Sequence, residues 1–408
     1  MNGFLSLFSG AGGLDLGLER AGWMCRYATD IDSAAVETFR ANFASAASGS
    51  GNGGDALIET GDVRTLRGNE LLGRLGCARG DIPLMAGGPP CQSWSSAGHQ
   101  RGLDDPRGQL FRDFIRIADE CDCRVILFEN VRGMLTARGP DGEPGGALRL
   151  IRETMWAHGY RSAVELLNAA DFGVPQRRVR LYLIGFRGTP APLFPEPTHT
   201  RDGDAEPLLV AKRHPWIPMR SSLLMPHELR EGEWIDPSPR MAERLQGLRP
   251  GQGVKSAGKK ETTRPGGHWG YMQGGFVADP ERPARTVTAS SQQDWVLTKD
   301  GRYRRLCPRE CARLQSFPDR WRFSGTRTAQ YRQIGNAVAP EMGRVLGQVI
   351  QKMIESPARD AEAFDPARLP SHLESHVRYT RREERRNGAS RRAAPVRRRV
   401  SSERSGGR

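Results

Sequence analysis

The sequence has no apolar run approaching the roughly 20 residues needed to cross a bilayer, which argues against a membrane-embedded protein. It also lacks a secretory pattern. Met1-Asn2-Gly3 leads directly into Phe4-Leu5-Ser6-Leu7-Phe8 with no basic segment ahead of it, so a cytoplasmic location is expected. Cysteine is sparse and odd in number, seven in 408 residues, which excludes a disulfide framework. Neither Cys121/Cys123 nor Cys307/Cys311 has zinc-finger spacing, so no metal site is expected. Acid is outnumbered, leaving a net charge of +14. From Arg378 to the end, twelve arginines stand against Glu383, Glu384 and Glu403, so most of the excess is in the tail. A modestly basic body with an Arg-rich, Ser/Gly-rich tail suits a polyanionic partner; the tail reads either as a disordered electrostatic clamp or as a solvated end.

What is present has the rhythm of a doubly wound α/β sheet. Phe4 to Phe8 reads as a buried strand, Ser9-Gly10-Ala11-Gly12-Gly13 as a tight turn, and Leu14 to Ala21 as a helix. Arg26 to Asp30, Ile82 to Ala86, Arg124 to Phe128, Ala163 to Leu167 and Val179 to Phe186 read as further strands. One intervening helix carries Leu110, Phe111, Phe114, Ile115 and Ala118 on one face. Beyond Arg187 prolines, glycines and charges take over, as in a second, smaller, loop-rich domain. A last helix with Met342, Val345, Leu346, Val349, Ile350 and Met353 in a stripe needs a surface to pack on, and the first domain is the expected one.

Four short motifs fall at strand ends, where open α/β sheets bind ligands. The glycine turn after the first strand, with Asp30 closing the second, has the logic of a nucleotide site in which glycines admit close backbone approach and a carboxylate takes ribose hydroxyls. It is not the Gly-x-Gly-x-x-Gly of dinucleotide binders, and S-adenosylmethionine, which has no phosphate, suits it better than NAD. Gly87-Gly88-Pro89-Pro90-Cys91-Gln92 sets one cysteine in a stiff loop, compatible with a nucleophilic thiolate or with a buried thiol behind a strand. Phe128-Glu129-Asn130-Val131 puts a carboxylate at a strand end, either for chemistry or as a cap of the following turn. Gln176-Arg177-Arg178-Val179-Arg180 sets Arg178 and Arg180 on the same face of a strand entry, where solvated arginines are also common.

In their order these motifs make the chain resemble the DNA cytosine-5 methyltransferases over residues 4 to about 352. Phe8 to Gly17 matches the family's first motif, Gly61-Asp62-Val63-Arg64 an adenine-contacting motif, and Gly88-Pro89-Pro90-Cys91-Gln92 the nucleophile loop. Glu129-Asn130-Val131, Gln176-x-Arg178-x-Arg180, Arg309-Glu310-x-x-Arg313 and Gln333-Ile334-Gly335-Asn336-Ala337-Val338 follow. Two departures are Trp94, where Phe is usual, and Ser6, where many members carry an acid.

The resemblance implies a mostly parallel, Rossmann-like methyltransferase sheet with a loop-rich target recognition domain. Residues 1–187 would be the catalytic domain, 188–307 the recognition domain, 308–355 a segment returning to the first, and 356–408 a disordered basic tail. It also implies S-adenosylmethionine held by Phe8, Gly10, Gly12, Asp30, Asp62, Val63, Asn336 and Val338, with Cys91, Glu129, Arg178 and Arg180 as catalytic residues. The implied partner is double-stranded DNA, its cytosine flipped out under a lid from Gln92 to Arg107, with Lys212, Arg213, Arg220, Lys259 and Lys260 as candidate contacts. A monomer is expected, with a companion restriction endonuclease as a further partner. An RNA cytosine-5 methyltransferase on the same fold and an inactive DNA-binding regulator stay open as alternatives.

Overall fold

The apolar run after Gly3 becomes β1 (Gly3–Leu7), an interior strand of the sheet, with every residue buried. A computed structural model describes residues 2–47, 56–90, 106–188, 193–203, 213–255, 271–355 and 364–393. Along β1, Phe4 enters the core on one face while Leu5 and Leu7 enter the core on the other, as expected of a strand covered on both sides. There follow α1 (Gly13–Arg20), β2 (Met24–Asp30), α2 (Ser33–Ala47), β3 (Leu57–Thr60), α3 (Gly68–Leu75), β4 (Leu84–Gly87), α4 (Leu110–Glu120), β5 (Val125–Val131), α5 (Gly146–Ala157), β6 (Arg161–Asn168) and β7 (Val179–Phe186). The strand order is β3-β2-β1-β4-β5-β7-β6, parallel except for β7, which runs antiparallel between β5 and β6.

The alternation expected from the sequence is present, with informative shifts. Phe8 is not strand: it leaves β1 with φ 57, in the left-handed region. β5 runs three residues past Phe128, so Glu129 and Asn130 are pinned by pairing to Tyr182 and Leu181 of β7. The edge strand β3 and helix α5 had no clear sequence signal.

Among the described residues of 188–307 there are three two-stranded ribbons, β8 (His199–Thr200) with β9 (His214–Pro215), β10 (Gly253–Lys255) with β11 (Tyr271–Phe276), and β12 (Trp295–Leu297) with β13 (Tyr303–Arg305), plus α6 (Pro239–Leu245) before β10. Their own core is small: Leu245, Val277 and Trp295. Met219, Ala284, Val287 and Leu306 instead join the core under the sheet, so this region is continuous with the first domain at its base. The chain then returns through α7 (Pro308–Leu314), α8 (Arg327–Asn336) and α9 (Pro340–Glu355). The apolar stripe of α9 packs on α1 as expected. The approach is so close that a Cβ on Gly17 would lie 2.1 Å from the Pro340 carbonyl.

One expectation is corrected. Within the tail expected to be disordered, Ser371–Ala393 forms α10. Leu373, Val377 and Thr380 are buried, at the i, i+4, i+7 spacing of one helix face, and the first two join the core on the α4 side of the sheet. Charge density on the rest of the helix hides this stripe in the sequence. Residues 394–408 lie outside the described residues.

Candidate active site

The loops leaving β1, β2, β4 and β5 enclose a cavity of about 330 Å³. It is lined by Phe8, Gly10 and Asp30 on one side, by Pro89, Pro90, Glu129, Arg178 and Arg180 on another, and by Asn336 and Val338 from the returning segment. Sequence positions more than three hundred apart therefore meet at one sheet edge.

On the first side, the Phe8 backbone turns sharply after the buried strand, at a cost of order 1–3 kcal/mol for a non-glycine residue. Such strain persists only where the surroundings impose it. Asp30 is fixed by two backbone donors, Gly10 N to Oδ2 at 2.9 Å and Asp32 N to Oδ1 at 2.9 Å. Burial raises its carboxyl above the ordinary range, against the lowering effect of those bonds. Each oxygen keeps a lone pair for a hydroxyl donor. At the rim, Arg332 pairs with Asp32 at 2.6 Å.

On the second side, Glu129 is buried, and burial raises its carboxyl above the usual range while Arg180 and Arg178 pull it down. Its ion-pair contact is Arg180 Nε at 3.3 Å. Gly88 lies close to the carboxylate: a Cβ there would come to 3.0 Å from Glu129 Oε2 and press on it. Asn130 donates through Nδ2 to the Pro89 carbonyl at 3.1 Å, tying the proline loop to the strand that carries Glu129. Arg178 behaves differently from Arg180. Its guanidinium is buried and donates to the carbonyls of Val287, Gly335 and Ala337, at 3.0, 2.8 and 3.0 Å. It therefore anchors the returning segment beneath the cavity.

Three expected cofactor residues do not line this cavity. Gly12 caps α1 with φ 77, and a Cβ there would sit 2.9 Å from the rings of Phe39 and Phe43; it is the close fit of α2 that requires glycine. Asp62 and Val63 line a separate hollow of about 180 Å³. The Asp62 carboxylate is taken by Arg64, which holds its pKa low. Cys91, most of the expected lid from Gln92 to Arg107, and Lys212, Lys259 and Lys260 lie outside the described residues. Of the other candidate DNA contacts, Arg220 is ion-paired with Glu281 and Arg213 directly precedes β9. Among the described residues no group of three metal-ligating side chains occurs, and no helix is long and apolar enough to cross a membrane.

The sequence reading missed Asp15, which also lines the cavity with both carboxylate oxygens buried and unpartnered. The available signal was an acid inside a helix whose first six residues, Gly13 to Leu18, are all buried.

A family profile described as C-5 cytosine-specific DNA methylase matches residues 3–352. The Fusobacterium nucleatum protein named type II methyltransferase M.FnuDI is 31% identical over 86% of this chain and 94% of its own length. M.NgoPII of Neisseria gonorrhoeae, also named a type II methyltransferase, is 32% identical over 86% of this chain and 96% of its own. Among solved structures, the S. pombe Dnmt2 methyltransferase superposes with a TM-score of 0.58 at 18% identity, covering 87% of this chain and 99% of that one; the likeness is one of fold.

Proposed function

Since this chain belongs to the C-5 cytosine-specific DNA methylases, S-adenosylmethionine-dependent enzymes, we propose that it methylates cytosine at one short duplex sequence through a covalent Cys91 adduct. The observation that carries this reading is the meeting of Glu129, Arg180 and the proline loop entering Cys91 at one wall of the cavity.

The cavity suits the cofactor. Phe8 offers a ring for the adenine, Asp30 a fixed acceptor pair for ribose hydroxyls, and Asn336 and Val338 a wall for the methionine end. When bound, S-adenosylmethionine supplies the methyl group that carbon 5 accepts. Carbon 5 of cytosine is a weak nucleophile until a thiolate adds at carbon 6, the role assigned to Cys91. The density pushed into the ring is met at nitrogen 3 by Glu129. Burial raises its pKa against the pull of Arg180 and Arg178, which favours the protonated form that can donate there. Arg180 faces the charge developing on the 2-oxygen, and Arg178 acts by holding the wall behind it. Loss of the carbon 5 proton and expulsion of the Cys91 thiolate complete the cycle. No group here reaches a stacked base, so the cytosine is flipped out, at a cost of a few kcal/mol.

Residues 188–307 are assigned to target recognition, in a monomer that works beside an endonuclease of the same specificity. The naming of relatives as type II methyltransferases supports that setting. The test is base-resolution 5-methylcytosine mapping of plasmid from cells without cytosine methylation, expressing either the protein or Cys91→Ala. Methylation at one motif, absent with the variant, is expected. Folded wild-type protein that leaves DNA unmodified but methylates tRNA would sink the DNA reading.

A further inference from the structure

Asp15 stands in the first turn of α1 with 1% of its surface exposed, and neither carboxylate oxygen has a hydrogen-bond partner. The hydroxyls of Ser6 on β1 and of Ser9 are buried and unpartnered as well, and all three residues line the cavity. A buried carboxylate is normally answered by a cation or by several donors. Here the neighbours point the other way. Glu19 one turn along α1, Asp30 at the end of β2 and the Cys25 thiol of β2 are all acids. On α9, which packs against α1, Glu341 and Arg344 pair with each other. The acid is also on α1 while β1 carries Ser6, so the carboxylate sits one element away from the strand end.

We propose that Asp15 is the counter-charge for the ammonium group at the methionine end of S-adenosylmethionine, and that cofactor binding expels the proton Asp15 otherwise carries. The proposal rests on the cofactor assignment above. An unpaired anion enclosed by acids is the surrounding that a cationic ligand relieves. Burial, reinforced by Asp30 and opposed by the Ser6 hydroxyl and the Asp15 backbone N–H, which lie close without forming a well-aligned hydrogen bond, lifts the Asp15 carboxyl to about 7, so the free protein holds it largely neutral below that pH. A cation beside it favours the ionised form and lowers that pKa. Cofactor affinity is therefore highest between about pH 7 and the pKa of the ligand's own amino group, and declines as the pH falls below about 7, up to tenfold per unit in the limit of one proton released. Glu19, also raised to about 7 by burial and by Asp15, titrates in the same range and must be separated from it.

Calorimetric titration of the full chain with S-adenosylmethionine and with S-adenosylhomocysteine, in two buffers of different ionisation enthalpy, reads the released proton directly. Wild type is expected to release close to one proton below neutral pH with both ligands, since both carry the ammonium group. Glu19→Gln should keep that release. Asp15→Asn should lose it, bind both ligands about tenfold or more weakly at pH 8, and melt no lower than wild type without ligand, because it removes an unpaired buried charge. Should Asp15→Asn fail to fold, the double variant Ser6→Asp, Asp15→Ser carries the test, with recovered affinity and proton release expected. Unchanged affinity and proton release in Asp15→Asn, or a folded double variant that binds no ligand, would overturn the proposal. A loss confined to S-adenosylmethionine would overturn the ammonium assignment in favour of the sulfonium. Wild-type protein that binds neither ligand would instead refute the cofactor assignment.

Discussion

Two buried glutamates beside arginines show how this fold separates structure from chemistry. Glu310, at the junction of α7 with the loop-rich region, accepts from both terminal nitrogens of Arg304 at 2.8 Å, from Leu224 N at 2.9 Å and from Cys307 N at 3.1 Å. Glu129, at the end of β5, has Arg180 Nε at 3.3 Å. The first carboxylate is saturated and has nothing left to offer a ligand. The second is buried yet under-satisfied, a costly state in a folded protein unless something else completes it. The same contrast separates the arginines: Arg178 is committed to three carbonyls, and Arg180 faces the cavity.

The largest effect should come from the unfinished carboxylate. Glu129→Gln keeps the shape but cannot hold a proton for the ring, and methylation should fall about 10²- to 10⁴-fold, the range of a lost general acid. Its melting temperature should stay within a few degrees of wild type. A Glu129→Gln protein that methylates normally would break the comparison, since both glutamates would then be structural.

Glu310→Gln should do the reverse. Replacing a buried charge while leaving Arg304 in place costs about 3–5 kcal/mol. Denaturant titration should show that loss, and any methylation recorded at low temperature by the folded fraction should have near-normal kcat.

How much of this was open to the sequence follows from which contacts are local. The strand ends were legible because alternating apolar runs and glycine turns are short-range signals, and the residue pattern alone puts Asp30, Glu129 and Arg180 on one edge. The strand β3 was not, because Leu57-Ile58-Glu59-Thr60 is a half-buried edge strand without an apolar run. Arg178 looked like a twin of Arg180, because the carbonyls that claim it belong to Val287, Gly335 and Ala337. Gly12 looked like a cofactor glycine for the same reason: the rings that crowd it come from α2. Asp15 passed unnoticed because the groups around it, Ser6 on β1 and Cys25 and Asp30 on β2, are brought to it by the packing of α1 on the sheet and not by local pattern. Side-chain roles set by such distant returns have no footprint in local pattern.

The smallest expected effect tests whether committed and uncommitted arginines differ on the surface too. On α10, Arg378 pairs with Glu374 and Arg386 with Glu383, while Arg382 and Arg385 are exposed with no ion pair among the described residues. The helix lies against Arg132–Thr136, the turn directly after β5, where Arg132 reaches His376 at 3.3 Å. That position sets α10 beside the end of the strand that carries Glu129. If α10 adds phosphate contacts beside the target base, Arg382→Gln with Arg385→Gln should weaken duplex binding several-fold at low salt and little at high salt. The slope of log affinity against log salt should fall by up to about two, near one for each phosphate no longer neutralised. Equal salt slopes for the variant and wild type would mean that these arginines only solvate the helix. The basic character of the tail would then have to act, if at all, through its other arginines, among them Arg391, Arg392 and those beyond Ala393.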